Sequence, residues 1–261
     1  MKKYLVIGNP IEHSLSPKLH NYWIKENNIK AVYEKIKLHE TDLEKTVLEV
    51  KKGIIQGLNV TVPYKKSIIP FLDELTLISK RTNSVNTIFK KDNKIVGDNT
   101  DVEGFEKSLK HIDYDIKKQK IFILGAGGVA PSIIFALQRL GASKITLSNR
   151  TKEKAENLKF FFPELEILDW GEIPDFNMII NATSLGLKDN DEIKLNYNKV
   201  GKNKLFYDVI YNPEKTNFLL KAKQSGNRVE NGKMMFIYQA QLAFKIWHNI
   251  LPKIDNKLLD E

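Results

Sequence analysis

Residues 121–138 constrain the fold more than any other part of the chain. They carry no charge, and they open with a short apolar run at residues 121–124. Gly125-Ala126-Gly127-Gly128-Val129-Ala130 follows at once and fits the pattern G-x-G-x-x-[GA]. Three glycines and Pro131 this early are typical of a strand, a tight turn and a helix, and not of a membrane span, which needs about 20 apolar residues. The segment therefore predicts the first βα unit of a dinucleotide-binding sheet.

Each small residue of this motif has a predicted task. Gly125 makes the tight turn, Gly127 removes a side chain that would block a pyrophosphate, and Ala130 allows close packing of helix against strand. The helix N-terminus then faces the phosphates. We expect the cofactor to contact Gly125, Ala126, Gly127, Gly128 and Val129.

Strand and helix patterns alternate regularly after Lys120. The predicted strands are residues 121–124, 144–148, 165–168, 178–181, 205–209 and 228–230, with helical segments between most of them. Such repetition predicts a doubly wound parallel sheet of the Rossmann type. A chain of 261 residues is long enough for this domain and a second one.

The first hundred residues predict a mixed α/β unit. Its predicted strands are residues 4–7, 31–38, 58–62, 85–89 and 94–97, the last two joined as a hairpin through Lys91-Asp92-Asn93. Ser16 is expected to N-cap a helix with Pro17 at its first position. The capping-box spacing of Thr41-Asp42-Leu43-Glu44 predicts a second helix, with Leu43, Val47 and Leu48 facing inward.

An amphipathic helix is predicted near the C-terminal end, at residues 234–251. Its apolar residues recur at helical spacing. Periodicity does not fix its place, although the loop before it could return it to the first domain.

The end of the second strand after Lys120 predicts which dinucleotide binds. An NAD site usually places Asp or Glu there to hold the ribose hydroxyls. Here the strand ends in Asn149-Arg150-Thr151, so no carboxylate repels a 2′-phosphate. Arg150 can clamp that phosphate, Thr151 can donate a hydroxyl, and Lys154 lies one helical turn away. NADP(H) is therefore favoured over NAD(H), the alternative being that Arg150 is one more surface cation.

Two later strand ends are expected to line the same crevice, because ligands bind outside the carboxyl ends of such strands. They are Asn181-Ala182-Thr183-Ser184-Leu185-Gly186 and Asp208-Val209-Ile210-Tyr211. Taken singly, each could be an ordinary strand-to-helix turn.

Polar residues of the first domain predict a second ligand site. Alternation along residues 58–62 places Leu58, Val60 and Val62 on the core face and Asn59 and Thr61 on the other. If the chain stays extended through Pro63, Lys65 lies on the polar face. This geometry distinguishes Lys65 from its neighbour Lys66 only weakly.

Ser14, Ser16, Asn86 and Asp101 add hydroxyls, an amide and a carboxylate. Such groups suit a polyhydroxylated ligand. Each also has a structural alternative: Ser16 and Asp101 as helix caps, and Asn86 as a satisfied strand amide.

The charge balance raises a further class of function. Basic residues number 41 and acidic residues 32, a net charge of +9, and only Arg81, Arg139, Arg150 and Arg228 are arginine. Nucleic-acid binding is one interpretation of this charge. Base readers favour arginine for its planar fork, so a lysine-rich surplus favours solvated surface instead.

Cysteine is absent, which excludes disulfides, a thiolate nucleophile and zinc sites built on sulfur. Five scattered histidines give no metal signal. The apolar run after Lys2 and Lys3 is too short for a signal-peptide core, so a cytoplasmic location is predicted.

The motifs together resemble one family, the shikimate dehydrogenases, over residues 8–247. In chain order they are His13-Ser14-Leu15-Ser16-Pro17, Asn59-Val60-Thr61-Val62-Pro63 with Lys65, Val85-Asn86-Thr87, Gly97-Asp98-Asn99-Thr100-Asp101, the glycine motif, Asn149-Arg150-Thr151 and Asn181-Ala182-Thr183-Ser184. The resemblance implies a mixed-sheet substrate domain at 1–102 with 233–261, a Rossmann-like NADP domain at 103–232, and a cleft between them.

The resemblance also implies roles for residues. Lys65 and Asp101 would form the catalytic acid–base pair. The substrate would contact Ser14, Ser16, Asn59, Thr61, Asn86, Asp101, Tyr211 and Gln239. The cofactor residues would be those of the glycine motif together with Asn149, Arg150, Thr151, Lys154, Thr183, Val209 and Gly232.

The implied reaction is the reversible reduction of 3-dehydroshikimate to shikimate by NADPH. One departure is visible: Leu187 stands where the family usually has a methionine that packs near the nicotinamide. The alternatives are a quinate/shikimate dehydrogenase of broader specificity, a non-catalytic dinucleotide-binding regulator and a basic nucleic-acid module. The expected partner is the small-molecule substrate, with a homodimer possible and no nucleic acid or membrane.

Overall fold

The computed structural model describes residues 1–188 and 191–255. The chain divides into two compact units. The first unit comprises Met1–Gly104 and the segment from Ile237 onward, and the second comprises Phe105–Phe236.

The first unit is built on a mixed sheet, which in the described residues has six strands in the order β2-β1-β3-β5-β6-β4. The strands are β1 (Lys2–Gly8), β2 (Ala31–Lys37), β3 (Gly57–Val60), β4 (Glu74–Leu75), β5 (Thr87–Lys91) and β6 (Lys94–Asp98). Strand β1 pairs in parallel with β2 and β3, whereas β5 runs antiparallel to β3 and β6. The mixed α/β prediction for this unit is confirmed.

The predicted hairpin is present between β5 and β6. Asp92 and Asn93 both have positive φ, 48° and 62°, and Lys91 pairs with Lys94. Two such central residues match the right-handed twist of the flanking strands.

The helices of this unit are α1 (Ser16–Glu26), α2 (Leu43–Lys51) and α3 (Leu77–Thr82); α4 (Asp101–His111) begins in it and α8 (Lys233–His248) ends in it. Its core contains Leu5, Ile7, Leu43, Val47, Leu58 and Val60.

Several local predictions for this unit are wrong. Ser16 is the first helical residue, and Leu15 is the cap residue, without a side-chain bond. Thr41 lies within a short 3₁₀ turn, Glu40–Asp42, in which the capping box joins His39 and Asp42. Leu48 is exposed because the buried face of α2 carries Leu43, Thr46, Val47 and Val50, and Leu48 lies on the other side of the helix. Val62 is exposed because β3 already ends at Val60.

The second unit has a parallel sheet, again of six strands among the described residues, in the order β12-β11-β10-β7-β8-β9. They are β7 (Lys120–Leu124), β8 (Lys144–Ser148), β9 (Glu166–Leu168), β10 (Met178–Asn181), β11 (Leu205–Asp208) and β12 (Arg228–Glu230). The helices after β7, β8 and β11 are α5 (Ala130–Arg139), α6 (Lys152–Glu156) and α7 (Asn217–Gln224). The doubly wound prediction is confirmed.

Strands β7 and β10 are neighbours, although the chain passes through β8 and β9 between them. The strand order therefore reverses at this pair, which is where open α/β sheets bind ligands. None of the described helices has the length and apolar character to span a bilayer.

Candidate active site

Lys65 and Asp101 form a buried ion pair in the first unit. Nζ of Lys65 lies 2.5 Å from Oδ2 of Asp101. Lys65 lies in a turn after β3, held by the bond from the N–H of Val85 to its carbonyl oxygen at 2.8 Å, and Asp101 is the first residue of α4. Lys66 is exposed, so the two lysines that the sequence separates only weakly are clearly different here. The chain turns at Pro63 and does not stay extended. The position of Lys65 therefore does not follow from strand alternation.

Asn86 is hydrogen-bonded to the other oxygen of the Asp101 carboxylate. Its Nδ2 donates to Oδ1 of Asp101 and to Oγ1 of Thr100, each at 2.9 Å, and to Oε1 of Gln239 at 3.4 Å. Its Oδ1 accepts from the N–H of Thr100 at 2.8 Å and from Oγ1 of Thr87 at 2.9 Å. Asn86 thus fixes both Asp101 and Gln239, and no sequence pattern indicated the part played by Thr87 and Thr100.

Gln239 is brought to the site by the close approach of α8 to α4. A Cβ atom on Gly104 would lie 2.8 Å from Cβ of Gln239 and 2.9 Å from its N atom. Only glycine allows this spacing without a shift of one helix.

Asn59 is buried in a hydrogen-bond network of its own. Its Nδ2 donates to the carbonyl of Asn86 and to Oγ1 of Thr87, both at 3.0 Å, and its Oδ1 accepts from the hydroxyl of Tyr33 at 2.7 Å. The amide therefore holds the start of β5 and Asn86, which directly precedes that strand. Direct contact of Asn59 with a ligand stays a prediction.

Ser14, Ser16 and Thr61 follow the carboxyl ends of two paired parallel strands. Ile7 of β1 is level with Val60 of β3, and the N–H of Thr61 donates to the carbonyl of Ile7 at 2.9 Å. Oγ of Ser14 accepts from the N–H of Ser16 at 3.3 Å. These hydroxyls thus belong to the same edge of the sheet.

The glycine turn of the second unit lies at the strand reversal. Gly125 has φ +106°, and a Cβ there would lie 2.7 Å from Cγ2 of Thr183 and 3.0 Å from the backbone of Ala182. At Gly127 a Cβ would meet only the carbonyl oxygen of Ala182, at 3.6 Å. Gly125 is thus needed for the turn, whereas Gly127 leaves open space of the kind that a phosphate group requires.

Asn149 links this turn to the end of β8. Its Oδ1 accepts from the N–H of Ala126 at 3.0 Å, and its Nδ2 donates to the carbonyl of Thr151 at 2.8 Å. Arg150, Thr151 and Lys154 are exposed, and the Thr151 hydroxyl makes no cap bond to α6. The neighbouring Lys152 is paired with Asp169 at 2.7 Å.

Thr183 lies in a tightly bonded loop after β10. Its hydroxyl donates to Oδ1 of Asn181 at 2.7 Å and accepts from the N–H of Leu185 at 3.0 Å. Nδ2 of Asn181 donates to Oδ1 of Asp208 at 3.0 Å, so the ends of β10 and β11 are joined. Leu187 follows this loop and is exposed.

The segment after β11 holds the remaining predicted residues of this unit. A Cβ on Gly232 would lie 2.1 Å from the carbonyl oxygen of Val209, so these backbones touch. The ring of Tyr211 stacks on Phe236 with centroids 4.4 Å apart. The sequence did not predict a role for Phe236.

Two family models match most of this chain. The model of the shikimate dehydrogenase substrate binding domain matches residues 6–88, and that of shikimate / quinate 5-dehydrogenase matches residues 106–187. A curated shikimate dehydrogenase (NADP(+)) of Pelagibacter ubique is 59% identical over 99% of this chain and 98% of its own length.

Two solved structures are similar to this chain over 97% or more of its length. The crystal structure of shikimate dehydrogenase from Aquifex aeolicus has a TM-score of 0.91 at 39% identity, covering 100% of this chain and 96% of that one. The shikimate 5-dehydrogenase of Thermus thermophilus, solved with NADP(H) and shikimate, has a TM-score of 0.89 at 30% identity, covering 97% of this chain and 95% of that one.

Proposed function

The chain belongs to the shikimate dehydrogenase family, and we propose that it catalyses the reversible reduction of 3-dehydroshikimate to shikimate by NADPH. The observation that carries this proposal is the buried pair of Lys65 and Asp101, with Asn86 bonded to the same carboxylate. A lysine beside a carboxylate is the arrangement that proton transfer to a ketone oxygen needs.

The bound cofactor supplies a hydride to the ketone carbon, and the protein must then stabilise the negative charge that develops on the oxygen. Lys65 supplies an ammonium group for this purpose, and its ion pair with Asp101 holds it in place. Its Nζ donates a proton to the oxygen, and Asp101 orients the ammonium and balances its charge. In the reverse direction the same pair accepts the proton of the alcohol.

We assign the substrate to the domain formed by residues 1–102 with 233–261, and NADP(H) to residues 103–232. Lys65, Asp101, Asn86 and Gln239 meet within the first unit, which supports the first assignment. The open space at Gly127 and the exposed Arg150 support the second. In this proposal Ser14, Ser16, Thr61 and Tyr211 contact the ring hydroxyls or carboxylate.

The test is a spectroscopic assay. Purified protein with NADPH and 3-dehydroshikimate is expected to consume NADPH, and NADH in its place is expected to react more slowly. Shikimate and quinate with NADP⁺ distinguish the family's narrow and broad specificities. A protein that binds NADPH but consumes none with 3-dehydroshikimate would be a non-catalytic regulator.

We further propose that small molecules are its ligands and that it works in the cytoplasm, as a monomer or a homodimer. Light scattering measures the oligomeric state. Salt-dependent binding to duplex DNA would contradict the proposal that the lysines are solvated surface.

A further inference from the structure

Asp208 is a fully buried carboxylate that the proposed reaction does not use. It lies at the carboxyl end of β11, and the groups bonded to it are all neutral. Its Oδ1 accepts from the N–H of Ile210 and from Nδ2 of Asn181, both at 3.0 Å, and its Oδ2 accepts from the hydroxyl of Thr216 at 2.6 Å. A buried charge without a cation is costly unless such donors surround it.

The first branch of these bonds leads towards the glycine turn. Asn181 is also bonded to Thr183, whose hydroxyl and N–H both donate to Oδ1 of Asn181. The methyl group of Thr183 in turn occupies the space where a side chain on Gly125 would lie. Three adjacent strand ends, those of β11, β10 and β7, are therefore linked along the edge where the strand order reverses.

The second branch fixes the segment after β11. The bond from Ile210 shapes the turn that carries Val209, whose carbonyl is in contact with Gly232. Thr216, bonded to the other carboxylate oxygen, is the N-cap of α7. One carboxylate thus holds the two segments that carry Thr183 and Val209.

We propose that Asp208 is a positioning residue for the NADP(H) site, acting through Asn181 and Thr183 on one side and the turn at Ile210 on the other. This inference rests on the proposed function, because it assumes that Thr183, Val209 and the glycine turn bind the cofactor. Asp208 itself is fully buried, so in this proposal it acts only through these neighbours.

The charge state of Asp208 decides whether this network is complete. Burial raises the pKa of Asp208 to about 6, although the three donors favour the charged form. Protonation removes the negative charge that the three donors stabilise and places a hydrogen on one of the two oxygens, so their hydrogen bonds weaken. The titratable groups that interact with its charge are the hydroxyls of Tyr197 and Tyr207, whose pKa values are raised well above the physiological range. The network is therefore intact at neutral pH and weakens in acid.

The first test is Asp208→Asn, which keeps the shape but must turn one donor–acceptor pair around. Direct NADPH binding, followed by its fluorescence without substrate, is expected to weaken about tenfold, the usual scale for a hydrogen bond to a charged group. KM for NADPH is expected to rise in parallel, while KM for 3-dehydroshikimate stays within about twofold. Asp175→Asn is the matched control, since Asp175 is an exposed carboxylate at the opposite edge of the same sheet.

A merely structural role for Asp208 would give a different pattern. It would lower the melting temperature but leave NADPH affinity unchanged in the folded variant, and that result would overturn the proposal. Equal rises in both KM values would overturn it as well. Wild-type protein that binds no NADPH at all would instead refute the proposed function.

The second test uses Thr216, in case Asp208→Asn does not fold. Thr216→Val removes one donor to the carboxylate and is expected to weaken NADPH binding about threefold, whereas Thr216→Ser keeps the hydroxyl and restores it. Equal affinities for Thr216→Val and Thr216→Ser would contradict the proposal.

A pH profile supplies an independent readout. The 2′-phosphate of NADPH also titrates near pH 6, so the quantity to compare is the difference between two profiles. Between pH 7 and 5 the affinity of wild type is expected to fall more steeply than that of Asp208→Asn or, failing that, Thr216→Val. Parallel profiles would contradict the proposal.

Discussion

Among the described histidine and carboxyl groups, those whose pKa is shifted mainly by burial are histidines in the first unit and carboxyls in the second. Burial lowers the pKa of His20 to about 3 and that of His248 to about 4, the latter helped by Lys2. In the second unit burial raises the pKa of Asp208 to about 6 and also raises that of Glu230. The cause is the same in all four cases, because a buried group favours its neutral form.

The same cause gives the two units opposite responses to acid. Unfolding frees His20 to bind a proton below its ordinary pKa of 6.5, so the first unit loses stability as the pH falls through that value. Folded Asp208 binds its proton at a higher pH than the unfolded chain does, so between about 6 and 3.8 acid favours the folded second unit.

The two candidate sites also differ in the kind of groups that form them. In the first unit the site is made of charged and amide side chains around Asp101. In the second it is made of glycine backbone and neutral hydrogen bonds, with Arg150 exposed at its margin. Chemistry is therefore expected to depend on the first unit, and choice of cofactor on the second.

The largest effect is expected from Lys65→Ala, which removes the proton donor. The value of kcat should fall by about 10² or more, with little change in KM, because the ammonium acts on charge that develops only in the transition state. Steady-state kinetics at neutral pH measure this. Lys66→Ala is the control and should be near normal, and a Lys65→Ala variant with normal kcat would remove the catalytic assignment.

The next effect concerns acid stability and His20. Its ring is buried and stacks on Tyr33 with centroids 4.2 Å apart, and burial favours the neutral form. The free energy of unfolding should fall by about 2 kcal/mol between pH 6.5 and 4.5 from this group alone. Urea unfolding at a series of pH values measures this free energy for wild type and for His20→Phe. It should depend less on pH in the variant, and an equal pH dependence would contradict the expectation.

Arg150→Ala tests the proposed cofactor site of the second unit. Loss of a charge-assisted contact with the 2′-phosphate should raise KM for NADPH about tenfold and leave KM for NADH nearly unchanged. Lys152→Ala is the control, because Lys152 is occupied by Asp169. An unchanged preference for NADPH would show that Arg150 is not the clamp.

The smallest effect is expected from Gly104→Ala. Alanine should stabilise a helix by about 1 kcal/mol relative to glycine. Here the added Cβ lies 2.8 Å from Cβ of Gln239, and overpacking costs about 1–3 kcal/mol. We expect net destabilisation of about 1 kcal/mol with a higher KM for substrate, measured against Lys110→Ala on the same helix, and a stabilised variant would contradict this packing.

The sequence predicted the second unit better than the first. Parallel strands buried on both faces are nearly continuous apolar runs, so β7 and β10 could be identified within a residue. The two-residue strand β4 and the short helix α3 carry too few residues for a periodic pattern.

The candidate site shows a similar limit. Local patterns pointed to Arg150 and the glycine turn because each has a short-range signature, whereas alternation separated Lys65 from Lys66 only weakly. Asp208 and Asn181 were predicted only as parts of two strand ends, because they lie 27 positions apart in sequence and only tertiary structure brings them together. The burial of Asn59 likewise depends on Tyr33 from another strand.

The division of the chain also sets an order for its synthesis. The second unit is one continuous segment, whereas the first lacks Phe244 and Trp247 until the whole second unit has been translated. These two rings lie beside His20, and Gly57 is in contact with Trp247. Because domains fold as units during synthesis, we expect the nascent chain to complete its second unit first, with the first unit remaining open to chaperones until α8 emerges from the ribosome.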